Sequence, residues 1–450
     1  MVCVFYKMNS LIERTFHLSA LGTTIRTEVL AGSTTFFTLA YIIFVQPTVL
    51  SAAGMDFGSV FVATCVASGV ATLMMALFSN YPIAVAPAMG HNFYFAFTVV
   101  LASGIPWQTA LGAVALAGML FVITAGIGLR ERLITVIPNS LKHAIAVGIG
   151  LLIAMVGLQW AGVIVDSPGT LVMLGDLRTT PVMVALTGFT VMAVLSVWNF
   201  RSALLIGLLV AGTVAWLTGV TEYQGFASLP PSIRPTFLEF DLLAALQPDM
   251  AAVILVFLFL ALFDSVGTLV GVAEQAGLMK DGVLPRARGA LMADAVGTVV
   301  GAGLGTSTVT AYIESATGVA AGGRTGLTAV VTAALFFLAL FFAPIVAMIG
   351  GGYQLDNSVT LYPVIAPALI VVGTMMLRNV RNIKWDDATE AIPAFLTMLL
   401  MPLTVSITDG IAFGFISFAV LKVSTGRVSD VDWLVFLFAG LFVLRYAFLV

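Results

Sequence analysis

The stretch GTSTVTAYIESATGVAAGGRTGLT, Gly305 to Thr328, sets a lone carboxylate, Glu314, on a backbone too rich in glycine, threonine and valine for one unbroken helix. If this stretch lies in a membrane, its reading decides the fold. An ionisable side chain at that depth costs at least about 2.5 kcal/mol even on permissive insertion scales, so it faces a cavity and marks an ion or substrate path. Irregular backbone there must also face protein or water. The stretch predicts a binding site.

The rest of the chain supplies the membrane. Of 450 residues, 60% are hydrophobic and 9% charged, against roughly 25% charged in a soluble domain. One aqueous-facing core cannot hide that many apolar side chains, so the chain is a polytopic membrane protein with the lipid bilayer as a partner. A net charge of −3 with scattered basic residues offers no basic stripe, which excludes nucleic acid as a partner. Cys3 and Cys65 lie far apart with no histidine cluster, so neither a disulfide framework nor a metal site is predicted. No cofactor motif is present. Gly301, Gly303 and Gly305 have dinucleotide-like spacing, but they follow a membrane helix and not a strand of a soluble βαβ unit. His17, His91 and His143 form no nucleophile–base or metal set, which argues against an enzyme.

Apolar runs long enough to span fall near 29–51, 57–79, 83–102, 107–128, 139–158, 183–199 and 201–219, then near 250–273, 288–304, 307–322, 324–350, 359–377, 391–403 and 407–422. Residues 220–249, acidic and rich in proline, separate the two sets as an exposed connection. No signal-peptide pattern occupies residues 1–27, and the first spanning helix is predicted to begin near Val29. Arg130, Arg132, Lys142, Lys280, Arg286, Arg288, Arg324, Arg378, Arg381, Lys384, Lys422 and Arg427 fall on the side shared with the amino terminus, which the positive-inside rule makes cytoplasmic. An odd number of spans in each half inverts one half relative to the other, the arrangement of inverted-repeat transporters with a midplane site. A last run, 433–449, is either an extra span or an interfacial helix.

The third run of each half is interrupted. In NYPIAVAPAMGHNFYF (Asn80–Phe95), Pro82 and Pro87 bracket Ile83–Ala86, which predicts a short extended piece and a half-helix from near Ala88. In GAGLGTSTVTAYIESATG (Gly301–Gly318), Thr306–Ala311 favours extended backbone, with a second half-helix from Tyr312. Two half-helix termini converging on one cavity suit a polar planar ligand. Glu314 is a candidate acceptor for ligand N–H groups. Asp264 follows about fourteen uncharged residues and is costly to keep charged at that depth, which makes it a candidate proton carrier. Asp294 is a third intramembrane acid, either functional or a cap or ion-pair partner of Arg286 or Arg288. His91 either titrates and bonds the ligand or is satisfied by a neighbouring helix. Asn92 can donate and accept toward a heterocycle. Phe36, Phe37, Tyr41, Phe93, Tyr94 and Phe95 are candidates for stacking a flat ligand.

These motifs, with TTIRTEVLAGSTTFFTLAYIIFVQP (Thr23–Pro47) and ALFDSVGTLVGVA (Ala261–Ala273), resemble the nucleobase/cation symporter-2 family of xanthine/uracil permeases, most closely its azaguanine-like adenine, guanine and hypoxanthine branch. The resemblance covers nearly the whole chain. It implies an all-α polytopic fold of about 14 transmembrane segments in two inverted seven-segment repeats, with short strands in broken segments 3 and 10. The implied domains are a cytoplasmic segment 1–28, a core of 29–128 and 250–350, a gate of 129–219 and 351–422, an extracytoplasmic connection 220–249, and a C-terminal segment 423–450 with an extra apolar helix. Asp264, Glu314, Asn92, Ala88, His91, Thr310 and Thr38 would bind a purine, and Asp264 and Asp294 would couple it to protons as the carrier imports it by alternating access. A homodimer in the cell membrane with a cytoplasmic amino terminus is also implied. The sequence departs from the branch at Ala88, where glycine is usual, at His91, where leucine is, and at Gln46, where asparagine is, and these bear on which purine fits. An anion transporter of the same architecture, or a xanthine/uracil-specific permease, stands as the alternative.

Overall fold

In the computed structural model the described residues are 12–127, 138–167, 169–279, 284–356 and 359–448. Cys3, Arg130, Arg132 and Lys280 lie outside them. The chain runs α1 Ile25–Leu39, α2 Ile42–Ala52, α3 Phe57–Ser79, β1 Val85–Pro87, α4 Met89–Phe93, α5 Trp107–Ile127, α6 Asn139–Trp160, β2 Ile164–Ser167, β3 Leu171–Leu174, α7 Thr180–Val197 and α8 Ala203–Leu217. After a long connection come α9 Leu242–Ala245, α10 Ala251–Gln275, α11 Ala287–Leu304, β4 Val309–Ala311, α12 Ser315–Ala320, α13 Gly326–Ala339, α14 Ala343–Gly350, β5 Tyr353–Asp356, β6 Val359–Leu361, α15 Ala366–Met376, α16 Ala388–Thr404, α17 Ile407–Ser424 and α18 Trp433–Phe448. Among the described residues, 8 helices are long and apolar enough to cross a membrane, counting α1 and α2 as one 28-residue span.

Several boundaries differ from the sequence expectation for local reasons. The first span begins at Ile25, because Thr24 caps it by accepting from the Thr27 amide at 3.2 Å. The runs 83–102 and 307–322 are not continuous α-helices. The first is strand, a five-residue α-helix and a π-helix over Tyr94–Ala102; the second is strand, turn and the six-residue α12. That second helix starts at Ser315 and not Tyr312, since the Tyr312 amide bonds back to Ala84 O at 2.9 Å. Nor is the fold purely helical: β2–β3 and β5–β6 are two further antiparallel ribbons, outside the interrupted segments.

Two packing groups are evident. In one, α3 lies against α11 and α13, α5 against α10 and α11, and α1 against α12 and α13. In the other, α6 packs on α15 and α16, α16 on α17, and α7 on α8 and α15. Small residues let backbones meet. A Cβ added at Gly373 would sit 2.5 Å from Gly150 O, and one added at Gly297 would sit 2.8 Å from the Ala71 side chain. The connection is ordered over the helix ends: Leu238 donates from its amide to Gly303 O at 2.8 Å and Asp241 to Gln108 O at 2.9 Å. The last helix, α18, lies on α17, where Tyr446 donates to Asp409 at 2.6 Å.

Candidate functional site

The two interrupted segments meet as one antiparallel ribbon. Val85 faces Ala311, Ala86 faces Thr310 and Pro87 faces Val309. Pro87, lacking an amide hydrogen, sits at the strand end, and the Ala88 amide extends the pairing to Thr308 O at 3.0 Å. Each strand is also pinned by a threonine from the preceding helix of its own half. Thr72 on α3 donates to Val85 O at 3.0 Å and accepts from Val85 N at 2.9 Å. Thr298 on α11 donates to Val309 O at 3.1 Å and accepts from Val309 N at 3.3 Å. Buried backbone polar groups need partners, and here the same device supplies them twice.

Around the ribbon ends lies a cavity of about 680 Å³ between the two packing groups. One wall is Tyr41, Ala88–His91, the α10 face from Leu260 to Thr268, and Thr310–Glu314; the other is Lys142–Ile149 of α6 and Val372–Asn379. Two of the three predicted acids, Asp264 and Glu314, line it. Asp264 is exposed and Glu314 half-buried, although the helix carrying Asp264 is otherwise apolar, so their accessible surface faces this chamber. Asp264 Oδ2 accepts from Thr310 Oγ1 at 3.1 Å, and Glu314 Oε1 accepts from the Tyr41 hydroxyl at 2.9 Å. One oxygen of each carboxyl is thereby oriented by a hydroxyl.

The remaining predicted residues divide. Ala88, His91 and Thr310 line the cavity. Asn92 does not: it is fully buried behind the wall, where its Oδ1 accepts from Ser307 Oγ and so ties α4 to the second segment. Thr38 is also outside, donating to Thr34 O at 2.8 Å and accepting from Thr317 at 3.1 Å. Asp294 is fully buried on α11 and accepts from the Ala311 amide at 3.3 Å. It therefore faces β4 and not Arg286 or Arg288; Arg286 instead lies 5.2 Å over the Tyr81 ring. Of the six aromatic candidates, only Tyr41 reaches the cavity, and by its hydroxyl. Phe36 packs on Phe336, Phe37 is 48% exposed on the outer surface, and Phe93, Tyr94 and Phe95 are fully buried in the core. Phe263 is the phenylalanine in the wall.

Sequence reasoning missed Lys142 and His143 as cavity residues, having read Lys142 only as a loop charge; their signal was a basic pair at the opening of an apolar helix. Glu28 was missed altogether. It is fully buried and accepts from Thr23 Oγ1, the Arg324 and Thr325 amides, Thr325 Oγ1, and both amide and hydroxyl of Thr328, at 2.7 to 3.2 Å. A buried carboxylate requires such a shell. This one staples α1 to the start of α13, and Arg324 reaches back to Val319 O at 2.9 Å to close the end of α12. No group of histidine, cysteine or acidic residues suited to a metal occurs among the described residues.

The architecture and site define a membrane transporter. In fold the chain is similar to the transmembrane domain of the cyanobacterial bicarbonate transporter BicA, with a TM-score of 0.59 at 16% identity over 86% of this chain and 97% of that one. In sequence, residues 26–413 match the xanthine/uracil permease model, described as a permease family. The adenine permease AdeP of Escherichia coli is 44% identical over 98% of this chain and 96% of its own length. The guanine/hypoxanthine permease PbuO of Bacillus subtilis is 46% identical over 96% of this chain and 99% of its own. This chain belongs to the xanthine/uracil permease family; it is a multi-pass membrane protein, a permease and not an enzyme.

Proposed function

We propose that this protein imports purine nucleobases across the cell membrane as a proton-coupled symporter working by alternating access. The observation that carries the reading is that Asp264, bonded to Thr310 of the β1–β4 ribbon, and Glu314, just beyond that strand, line one cavity between two packing groups. The similarity to adenine and guanine/hypoxanthine permeases supports a purine as cargo. Two carboxylates suit the N–H edges of such a ring and repel an anion, which weighs against anion transport despite the shared fold.

The first packing group corresponds to the core, 29–128 and 250–350, and the second to the gate, 129–219 and 351–422. About 14 segments in two inverted repeats are proposed, supported by the paired Thr72 and Thr298 devices. Asp264, Glu314, Ala88, His91 and Thr310 contact the base. Asn92 and Thr38 act from behind, fixing α4 and α12. Asp294, joined to the same strand as Asp264's partner Thr310, shares the proton with Asp264. With the basic loops and the amino terminus on the cytoplasmic side, a cavity reaching Lys142 and Asn379 is inward-facing. A homodimer is proposed from the family resemblance.

The test is uptake of radiolabelled adenine, guanine and hypoxanthine by cells expressing the protein, with and without a protonophore. Wild-type uptake that collapses with the proton gradient, and is lost in Glu314→Gln and Asp264→Asn, is the expected result. Undiminished uptake in both variants ends the site assignment, and insensitivity to the protonophore ends the coupling.

A further inference from the structure

The first interrupted segment passes the cavity and then joins the two packing groups beyond it. It begins at Asn80, whose Nδ2 donates to Phe16 O at 3.0 Å on the amino-terminal side, and runs by the cavity wall at Ala88–His91 into the π-helix Tyr94–Ala102. A few residues on, the Gln108 carbonyl accepts from the Asp241 amide of the connection, so the segment ends on the opposite side. There Thr98, 4% exposed, meets the turn between α16 and α17. Its Oγ1 donates to Val405 O at 3.3 Å and accepts from the Ile407 amide at 3.2 Å. One turn earlier the Tyr94 hydroxyl accepts from Thr408 Oγ1 at 3.1 Å, and Phe97 lies by Trp160 of α6 with ring centroids 6.0 Å apart. Tyr94, Thr98, Val405 and Thr408 all lie outside the cavity wall.

The turn that Thr98 holds is strained. Val405 has φ 53° and ψ 29°, the left-handed region, where a β-branched residue is rare and persists only when its surroundings fix it. Thr98 supplies part of that restraint by pairing the Val405 carbonyl and the Ile407 amide, backbone groups that need partners when buried. We infer that Thr98 and Tyr94 latch the core to the gate on the side of the connection while the cavity is open on the amino-terminal side, and that this latch parts when the protein turns outward. The inference rests on the alternating-access reading. Hydrogen bonds suit such a seam better than a sealed apolar contact, because water entering the open seam re-pairs the carbonyl and the amide. Release of Thr98 also lets the strained turn relax, which offsets part of the loss. The two packing groups thus have a closed and an open arrangement with a defined contact to exchange between them.

The test is a distance between two spin labels on that side of the full-length protein in lipid nanodiscs, with and without adenine or hypoxanthine. They are attached through Glu239→Cys, in the part of the connection tied to α11, and Arg178→Cys, before α7, both exposed. The background is Cys3→Ser, with Cys65 buried. Thr98→Val keeps the side-chain shape and removes both bonds. It should raise the population at a second distance by about 3- to 30-fold over the same protein with Thr98, the effect of one to two net hydrogen bonds. Thr98→Ser, which keeps the hydroxyl, should match Thr98, and Thr408→Val, which loses only the Tyr94 bond, should move the same way by less. If Thr98→Val does not fold, Thr408→Val compared with Thr408→Ser decides in its place. A shift as large in Thr98→Ser as in Thr98→Val overturns the latch. So does no shift in a folded Thr98→Val while base still moves the Thr98 protein between two distances, and alternating access then stands. One fixed distance in every variant, with and without base, overturns both.

Discussion

The two interrupted segments, Asn80–Ala102 and Gly301–Ala320, share a plan and differ in what they show the cavity. Each enters by a three-residue strand, each strand is clasped by one threonine, and each leaves as a helix. The second carries Glu314 and Thr310 into the chamber and is joined to Asp264 and Asp294. The first contributes Ala88 to His91, with no carboxylate. Its helix runs on as a π-helix whose Thr98 Oγ1 accepts from the Ile407 amide at 3.2 Å, a contact with the other packing group. π-Helical turns collect at functional positions. The lesson is a division of labour: the second segment holds the charge, whereas the first shapes the pocket and touches the partner group.

The largest expected effect tests that asymmetry directly. Glu314→Gln should lower uptake by about 10- to 100-fold, the range of a lost charge-assisted hydrogen bond. Asn92→Ala, on the first segment, should instead lower thermal stability, with uptake per folded molecule changing far less. Equal loss of specific uptake in the two would abolish the division. Next, Gly318→Ala should cost about 1 to 3 kcal/mol or more by overpacking, because its Cβ would sit 2.0 Å from Thr35 Oγ1 and 2.7 Å from Ala31 O. Its effect is read as lower folded yield and melting temperature. Gly90→Ala meets only Ile149 and should fold well, changing uptake more than stability.

Thr72→Val and Thr298→Val should each cost about 1 to 3 kcal/mol, since each strands a buried amide and carbonyl. Similar losses in the two, measured by thermal unfolding in detergent, would confirm that the clasp is the same device in both halves; a loss in one alone would show that only one strand depends on it. The smallest effect is expected for Ser315→Ala, which removes the Oγ acceptor of the Ala84 amide, held at 3.0 Å. It should cost about 0.5 to 1.5 kcal/mol.

Much of this was legible in the sequence because membranes make rules strict. A carboxylate in an apolar run must have a polar surround, so Asp264 and Glu314 could be assigned to a cavity from position alone. The proline bracket and the Gly–Thr–Val run marked both strands to within a few residues. Side-chain direction was not legible. Asn92 and His91 are adjacent, yet successive helical residues face different ways, and only His91 reaches the chamber while Asn92 turns to Ser307. The aromatic residues failed for the same reason. Glu28 escaped notice because its partners Arg324, Thr325 and Thr328 lie about 300 positions away, a separation that local patterns cannot bridge.

The strand pair also has a consequence for how the protein is made. While the first half of the chain is entering the bilayer, the Ala88 amide and the Ala84 carbonyl lack their eventual partners, Thr308 and Tyr312, which are still to be translated. The first half alone therefore carries a polar gap that the second interrupted segment closes, and the cavity is completed only at a late moment of biogenesis.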